Sequence, residues 1–279
     1  MTSPQPVSGP RPPALTKLSL FDSAHASHAL SRKTVSCDGI TYRLFLAVPK
    51  TVAPEGGFPI LYLLDGNAVF DLLDAKQLAS ASGLILAGVG HDTDRRFHPP
   101  SRSRDYTPSL EAQVPFPDPA RPERLIGGAE PFLHRLLGPI RQEVEAGLPV
   151  DPSRRMIFGH SLAGMFVLYT LLRQPDAFRR LAAASPSLWW GDEFLLGMEA
   201  RTPAFANPLD VLITLGDSER RSSPEGPHWD GPAPHTLEMI TRLQRRGNMT
   251  VSSSVLEGLG HAATLDASLP LVLKFATAS

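Results

Sequence analysis

The chain has 279 residues, 42% of them hydrophobic and 20% charged. That is the profile of a folded globular protein, neither disordered nor fibrous, and long enough to bury a core without staples. Its one cysteine, Cys37, excludes an internal disulfide framework and any cysteine-rich zinc module. With 27 basic residues against 28 acidic ones the net charge is −1, so neither nucleic acid nor a membrane surface is an expected partner.

Proline is the compositional anomaly, at 28 residues, roughly twice the usual share. Five prolines fall in the first thirteen residues, which predicts an extended or partly disordered leader over residues 1–32. This stretch has no apolar core of the secretory kind. The longest apolar run, 157–172, is broken by Gly159-His160-Ser161 and Gly164, too short and polar to span a bilayer. A cytoplasmic protein is the expectation.

Past the leader, residues 33–37 and 40–48 flank Asp38-Gly39, a strong hairpin signal. Residues 59–64 (PILYLL) read as a buried strand entering Asp65-Gly66-Asn67, and 84–89 (LILAGV) as a second. Residues 155–158, 181–184, 211–215 and 250–256 complete the predicted strands. Helical spacing of apolar residues covers 131–146, 163–172, 236–245 and 269–276. Strands alternating with helices predict an α/β fold, a mostly parallel central sheet with helices on both faces. Residues 92–123, with seven prolines and five arginines, show no periodicity and are expected to form a structureless insert walling the substrate pocket.

The sequence's chemistry centres on residues 154–165. A short apolar strand runs through Gly159-His160-Ser161-Leu162-Ala163-Gly164 into an apolar helix, the strand–turn–helix context of a nucleophile elbow. Ser161 is the candidate nucleophile. A serine hydroxyl needs a base, and His261, in Gly258-Leu259-Gly260-His261 beyond the last predicted strand, is best placed. His160 reads as a packing residue. The acid that would orient His261 lies in Gly216-Asp217-Ser218-Glu219; Glu219 is the first choice and Asp217 the second, and a Ser–His dyad without an acid stays open. The oxyanion site would use the amide of Leu162 and that of Gly66 or Asn67. Neither a metal nor an organic cofactor is called for.

With these residues in place, the chain resembles the esterase branch of the α/β hydrolases, and within it the siderophore esterases that cleave enterobactin, salmochelin or bacillibactin. The stretches that carry the likeness are YLLDGNAVFD (62–71), GVGHDTDRRF (88–97), SRSRDYTP (101–108), GGAEPFLHRL (127–136), FGHSLAGMFVLYTLL (158–172), ASPSLWWGDE (184–193) and EGLGHA (257–262). One departure is Ala163, where the family carries the second glycine of Gly-x-Ser-x-Gly-Gly. The resemblance implies one α/β-hydrolase domain over 33–279, with Ser161 as nucleophile and His261 as base. It also implies a small-molecule ester substrate, a triscatecholate lactone, polyanionic when iron-loaded, with any iron belonging to that substrate. Arg95, Arg96, Arg102 and Arg104 suit such an anion, Arg104 foremost because it sits in SRDYTP. Tyr106, Trp189 and Trp190 are candidates to stack on its rings. The alternatives are a carboxylesterase or acyltransferase on another acyl ester, or a siderophore-binding protein without catalysis.

Overall fold

A computed structural model describes residues 13–109, 111, 114–221 and 228–278. Strands β1 (His28–Cys37) and β2 (Ile40–Pro49) pair antiparallel about Asp38-Gly39, both at positive φ. Strand β3 (Phe58–Leu64) leads through helices α1 (Gly66–Leu72) and α2 (Ala75–Ser80) to β4 (Ile85–His91). Every residue of β3 and β4 is buried, as their unbroken apolar runs require of central strands. Helix α3 (Pro99–Tyr106), the hairpin β5 (Phe116–Asp118) and β6 (Arg121–Ile126), α4 (Ala129–Arg135) and α5 (Arg141–Glu145) follow. Then come β7 (Val150–His160), α6 (Leu162–Arg173), β8 (Arg180–Ala184), α7 (Phe194–Arg201) and β9 (Leu209–Gly216). The two-residue strands β10 (Arg220–Arg221) and β11 (Trp229–Asp230), α8 (Pro234–Gln244), β12 (Met249–Leu256) and α9 (Thr264–Thr277) end the series.

Among the described residues the main sheet has eight strands in the order β1-β2-β4-β3-β7-β8-β9-β12. From β4 to β12 all neighbours are parallel, and only the β1–β2 and β2–β4 pairs run antiparallel. This is the mostly parallel α/β architecture the alternation predicts. The chain steps outward from β3 to β4, then crosses back to β7, so the order reverses between β3 and β7. At such a reversal the loops at the carboxyl ends leave toward opposite faces and open a crevice. One of those loops carries Asp65-Gly66-Asn67 and the other carries Ser161.

Each face of the sheet buries its own apolar layer. On one side Phe132 of α4 and Phe166 of α6, ring centroids 4.9 Å apart, pack over Tyr62 and Ile157. On the other, Phe70, Leu269 and Leu273 from α1 and α9 cover Leu61 and Leu86. Helix α6 is buried from Ala163 through Leu172 because it lies between the sheet and α3, α4 and α7. No helix among the described residues is long and apolar enough to cross a membrane.

Three expectations change. Strand β1 starts at His28, so the expected boundary at residue 33 falls inside it; β2 offers a partner along its whole length, in register from Cys37↔Ile40 to His28↔Pro49. The preceding residues are also tied down: the Arg96 amide donates to Ala14 O at 2.8 Å, and the Leu18 amide to Asp71 Oδ1 at 2.8 Å. Residues 1–12, with four of the leader's prolines, lie outside the described residues. Second, the described residues of the insert 92–123 include helix α3 and the β5–β6 turn. Pro99-Pro100 at the first turn starts α3, since proline there loses no helical hydrogen bond and already has helical φ. Third, the helix expected over 131–146 is split by a π-type turn at Leu136–Ile140, where Pro139 lacks an N–H and Gly138 leaves helical geometry (φ −100°, ψ −108°).

Candidate active site

Ser161 sits between β7 and α6 with φ 62° and ψ −119°, a conformation costing a non-glycine residue about 1–3 kcal/mol. Three backbone hydrogen bonds hold it: its amide donates to Ala184 O at 2.9 Å, and its carbonyl accepts from Met165 N at 2.9 Å and Ser187 N at 3.1 Å. Small neighbours are a steric requirement. A Cβ at Gly159 would lie 2.4 Å from Ala163 O. Alanine at 163 is accommodated, fully buried, beside that glycine.

Ser161 Oγ lies 2.9 Å from His261 Nε2, positioned to donate to it. The opposite ring nitrogen, Nδ1, faces Glu219 Oε2 at 3.4 Å. The three side chains come from the loops after β7, β9 and β12, neighbouring ends of one parallel sheet. Glu219 is 2% exposed. Its other oxygen accepts from Ser185 Oγ at 2.6 Å and from the Gly216 amide at 2.9 Å. Burial alone would raise its carboxyl, but hydrogen bonds from His261, Ser185 and Gly216 hold it below the usual glutamate value, so it is ionised at neutral pH. Asp217 turns away from the histidine ring. It accepts from the Gly258 amide at 2.8 Å and so fastens the His261 loop to the end of β9.

His160 is buried under the elbow. Its Nε2 lies 2.9 Å from His261 O and 3.2 Å from Thr264 Oγ1. Burial pushes it down to about 3, with the nearby His261 adding to the shift, so it stays neutral and structural. Thr264 Oγ1 donates to His261 O at 2.7 Å and sits 2.6 Å from Ser185 Oγ. The backbone of His261 and the carboxylate of Glu219 are thereby braced by one buried cluster.

The amides expected to hold the oxyanion stand at two helix starts. Leu162 opens α6, and Gly66 and Asn67 open α1 directly after Asp65; first-turn amides have no acceptor within their own helix. Gly66 must be glycine, because a Cβ would fall 2.7 Å from the Gly88 backbone. Asn67 uses its side chain to donate to Thr93 O at 2.9 Å, which ties α1 to the loop after β4.

The predicted substrate-binding residues fare differently. Arg104 does not reach Ser161. Its guanidinium grips Asp105 through Nε–Oδ1 at 2.7 Å and Nη2–Oδ2 at 2.8 Å. Asp105 is fully buried and also meets His91 Nε2 at 3.1 Å and Tyr42 Oη at 3.0 Å. Burial would raise this carboxyl, yet the bonds from Arg104 and His91 hold it down at about 2. The physical reason is helix phase: on α3, residues two apart point about 200° apart, so Arg102 faces the elbow and Arg104 faces the core. Tyr106 is likewise a core residue, 1% exposed; its hydroxyl accepts from the Asp65 amide at 3.3 Å, underneath the α1 loop. Trp189 is half-buried beside the site, its ring covered by the Arg221 guanidinium at 3.3 Å from the centroid.

Several residues were invisible to motif reading. Arg102 Nε bonds both Asp65 oxygens, at 2.9 and 3.0 Å, while its Nη2 lies 3.3 Å from His160 O, so one guanidinium joins the α1 loop to the elbow. Ser187 Oγ, buried, lies 3.1 Å from Ser161 Oγ. The signal available in sequence was position alone: Ser185 and Ser187 leave the carboxyl end of β8, next to the strand bearing Ser161. A cavity of about 550 Å³ opens at Ser161 and His261, walled by Pro13, Arg96, Phe97 and Arg102 among others.

Residues 39–221 match the model of the family described as "Putative esterase". The chain is 43% identical over 237 residues to the apo-salmochelin esterase of Escherichia coli O6:H1, covering 84% of this chain and 74% of that protein. It is 31% identical over 254 residues to the ferri-bacillibactin esterase BesA of Bacillus subtilis, covering 85% and 84%. Among solved structures, the enterobactin and salmochelin hydrolase IroE superposes with a TM-score of 0.76 at 31% identity, over 94% of this chain and 100% of that one. The fold, the family match and these relatives agree that the chain belongs to the "Putative esterase" family and is a carboxylic ester hydrolase of the serine type.

Proposed function

We propose that this chain opens the lactone or ester bonds of a triscatecholate siderophore through an acyl-enzyme on Ser161. The observation that carries the reading is the 2.9 Å contact of Ser161 Oγ with His261 Nε2 at a strained strand-to-helix turn. Ser161 Oγ attacks the ester carbonyl and its proton passes to His261 Nε2. The amides of Leu162 and of Gly66 or Asn67 stabilise the oxyanion. Collapse of the tetrahedral intermediate breaks the C–O bond, and His261 returns the proton to the leaving alkoxide. Water then attacks the acyl-serine with His261 as base, which frees the acid and regenerates the hydroxyl.

Ionised Glu219 is suited to orient the ring and to offset the imidazolium charge. Its 3.4 Å separation is longer than a charge-assisted bond of about 2.7–2.9 Å, and catalytic contacts of this kind tighten as charge develops. The substrate class is supported by relatives named for salmochelin, bacillibactin and enterobactin. The proposed compartment is the cytoplasm. Mass spectrometry of products from enterobactin, salmochelin and bacillibactin tests the reading. The expected products are linear, their masses summing to that of the ring plus one water per bond cut, and absent with Ser161→Ala. A panel left intact while simple acyl esters are turned over would overturn the substrate class.

A further inference from the structure

Four of the insert's five arginines are engaged: Arg95 with Pro13 O, Arg96 with Asp71, Arg102 with Asp65 and Arg104 with Asp105. Arg221 is not. Its guanidinium lies 3.3 Å from the Trp189 ring centroid and 5.9 Å from that of Trp229. Its Nε is closed off from solvent and has no hydrogen-bond partner. Among the described residues no carboxylate lies within ion-pair distance of it, and burial lowers its pKa with no carboxylate opposing the shift. Arg102 over Phe97 is paired with Asp65 and Arg246 over Phe205 with Glu199, whereas Arg141 over Phe178, also without an ion pair among the described residues, gives Nη2 to Ala177 O.

Two further polar atoms in contact with this stack are also buried and unsatisfied: Trp229 Nε1, and Nδ1 of His235, whose ring lies 5.8 Å from that of Trp229. Three of the five such atoms among the described residues thus fall in one cluster. Buried polar groups without partners are rare and costly. Two of these three, Arg221 Nε and Trp229 Nε1, are donors, while His235 holds Glu193 Oε1 through Nε2 at 3.0 Å. The cluster therefore marks a place where a ligand supplies an acceptor to the arginine and the indole. The cluster adjoins the site described above. Arg221 follows Glu219 by two residues and Trp189 follows Ser187 by two, each at most about 7 Å along the chain. The Gly231 amide, beside Trp229-Asp230, donates to Glu219 O at 2.8 Å.

We infer that Arg221, stacked on Trp189 and bordered by Trp229 and His235, forms a subsite for a planar aromatic anion of the substrate, its vicinal oxygens received by the guanidinium edge and the Trp229 N–H. The ring lies in an aromatic setting, and the oxygens meet donors that lack an acceptor without it. The inference rests on the reading of the substrate as a catecholate and names which residues recognise that group.

The test uses the full chain carrying Ser161→Ala, with 2,3-dihydroxybenzoate as the probe and tryptophan fluorescence as the readout. Quenching should saturate, and 1,2-dimethoxybenzene, with the same ring and no anionic oxygen, should not compete. Adding Arg221→Gln should weaken probe binding at least about tenfold, the loss of one charged hydrogen-bonding group. Trp229→Phe, which removes the N–H and keeps the ring, should weaken it several-fold. In the active enzyme, Arg221→Gln should reduce kcat/KM for the catecholate lactone at least about ten times more than for p-nitrophenyl acetate. Unchanged probe affinity in both variants, or equal losses on the two esters, overturns the subsite. That failure is distinct from failure of the substrate reading, in which wild type turns over p-nitrophenyl acetate but no siderophore lactone.

Discussion

The carboxyl edge of the sheet and the insert of residues 92–123 both bear on the same cavity, yet they are built on opposite terms. On the sheet edge, Ser161, Glu219 and His261 leave the ends of β7, β9 and β12 and meet within hydrogen-bond distance. Topology determines that meeting: parallel strands stack their carboxyl ends in one place, and whatever residue follows a strand lands there. In the insert, topology determines little. Helix α3 brings Arg102 to the elbow and turns Arg104 into the core, although the two are only two residues apart in sequence. Chemistry carried at strand ends is therefore tied to the fold, while chemistry carried on an inserted helix depends on its phase.

The largest expected effect belongs to the sheet edge. Ser161→Ala should lower kcat by about 10⁴–10⁶-fold and leave the thermal midpoint near that of wild type; steady-state kinetics with p-nitrophenyl esters and a melt together check this. On the insert side, Arg102→Ala strips the partner from Asp65, which is 3% exposed. Leaving a buried charge unpaired costs about 3–5 kcal/mol. Denaturant unfolding should show that loss, together with slower turnover of every ester as the α1 loop loosens. Arg104→Met should also destabilise, less so because Asp105 keeps His91, Tyr42 and Arg135 as partners, but it should change anionic and neutral esters in parallel. A selective loss on the anionic ester would restore Arg104 to the pocket and erase the contrast between the two regions.

Glu219→Gln should cost about 10²-fold in kcat, less than the roughly 10⁴ lost with a tightly bonded acid, because the contact to His261 is 3.4 Å. Asp217→Asn, which weakens the bonds from the Gly258 amide and Ser218 Oγ, should stay within about threefold. An inverted order in a kinetic comparison would make Asp217 the acid.

A separate effect is one of pH on stability. His160 binds its proton at about 3 when folded and at about 6.5 when unfolded. Between these values the unfolded chain holds the extra proton, so stability falls as pH drops from 6.5 toward 3 and is fully present above 6.5. Replacing His160 with Gln should flatten that part of the melting-temperature profile. An unchanged slope would mean that the buried imidazole is not the group responsible.

Most of the sheet was legible because apolar runs ending in Gly, Asp or His mark buried parallel strands: residues 59–64 and 211–215 fall within β3 and β9, and 84–89 overlaps β4 from Ile85 onward. The start of β1 was not, because His28–Arg32 owes its strand to β2 rather than to its own composition. Likewise, prolines suggested an unstructured insert where Pro99-Pro100 instead start a helix. Motif and chain order pointed to Ser161, His261 and Glu219. The brace of Ser185, Thr264 and Arg102 depends on side chains brought from distant strands and has no local signature. The excess of proline, first an index of disorder, now marks Pro13 as a wall of the catalytic cavity and Pro99 as the start of the helix that aims Arg102.

Covalent labelling with a fluorophosphonate, read by intact mass and peptide mapping, tests the central claim most directly. The account predicts one adduct, on Ser161, absent from Ser161→Ala and formed far more slowly in His261→Ala. An adduct on another residue, or labelling of Ser161 at an undiminished rate without His261, would contradict it.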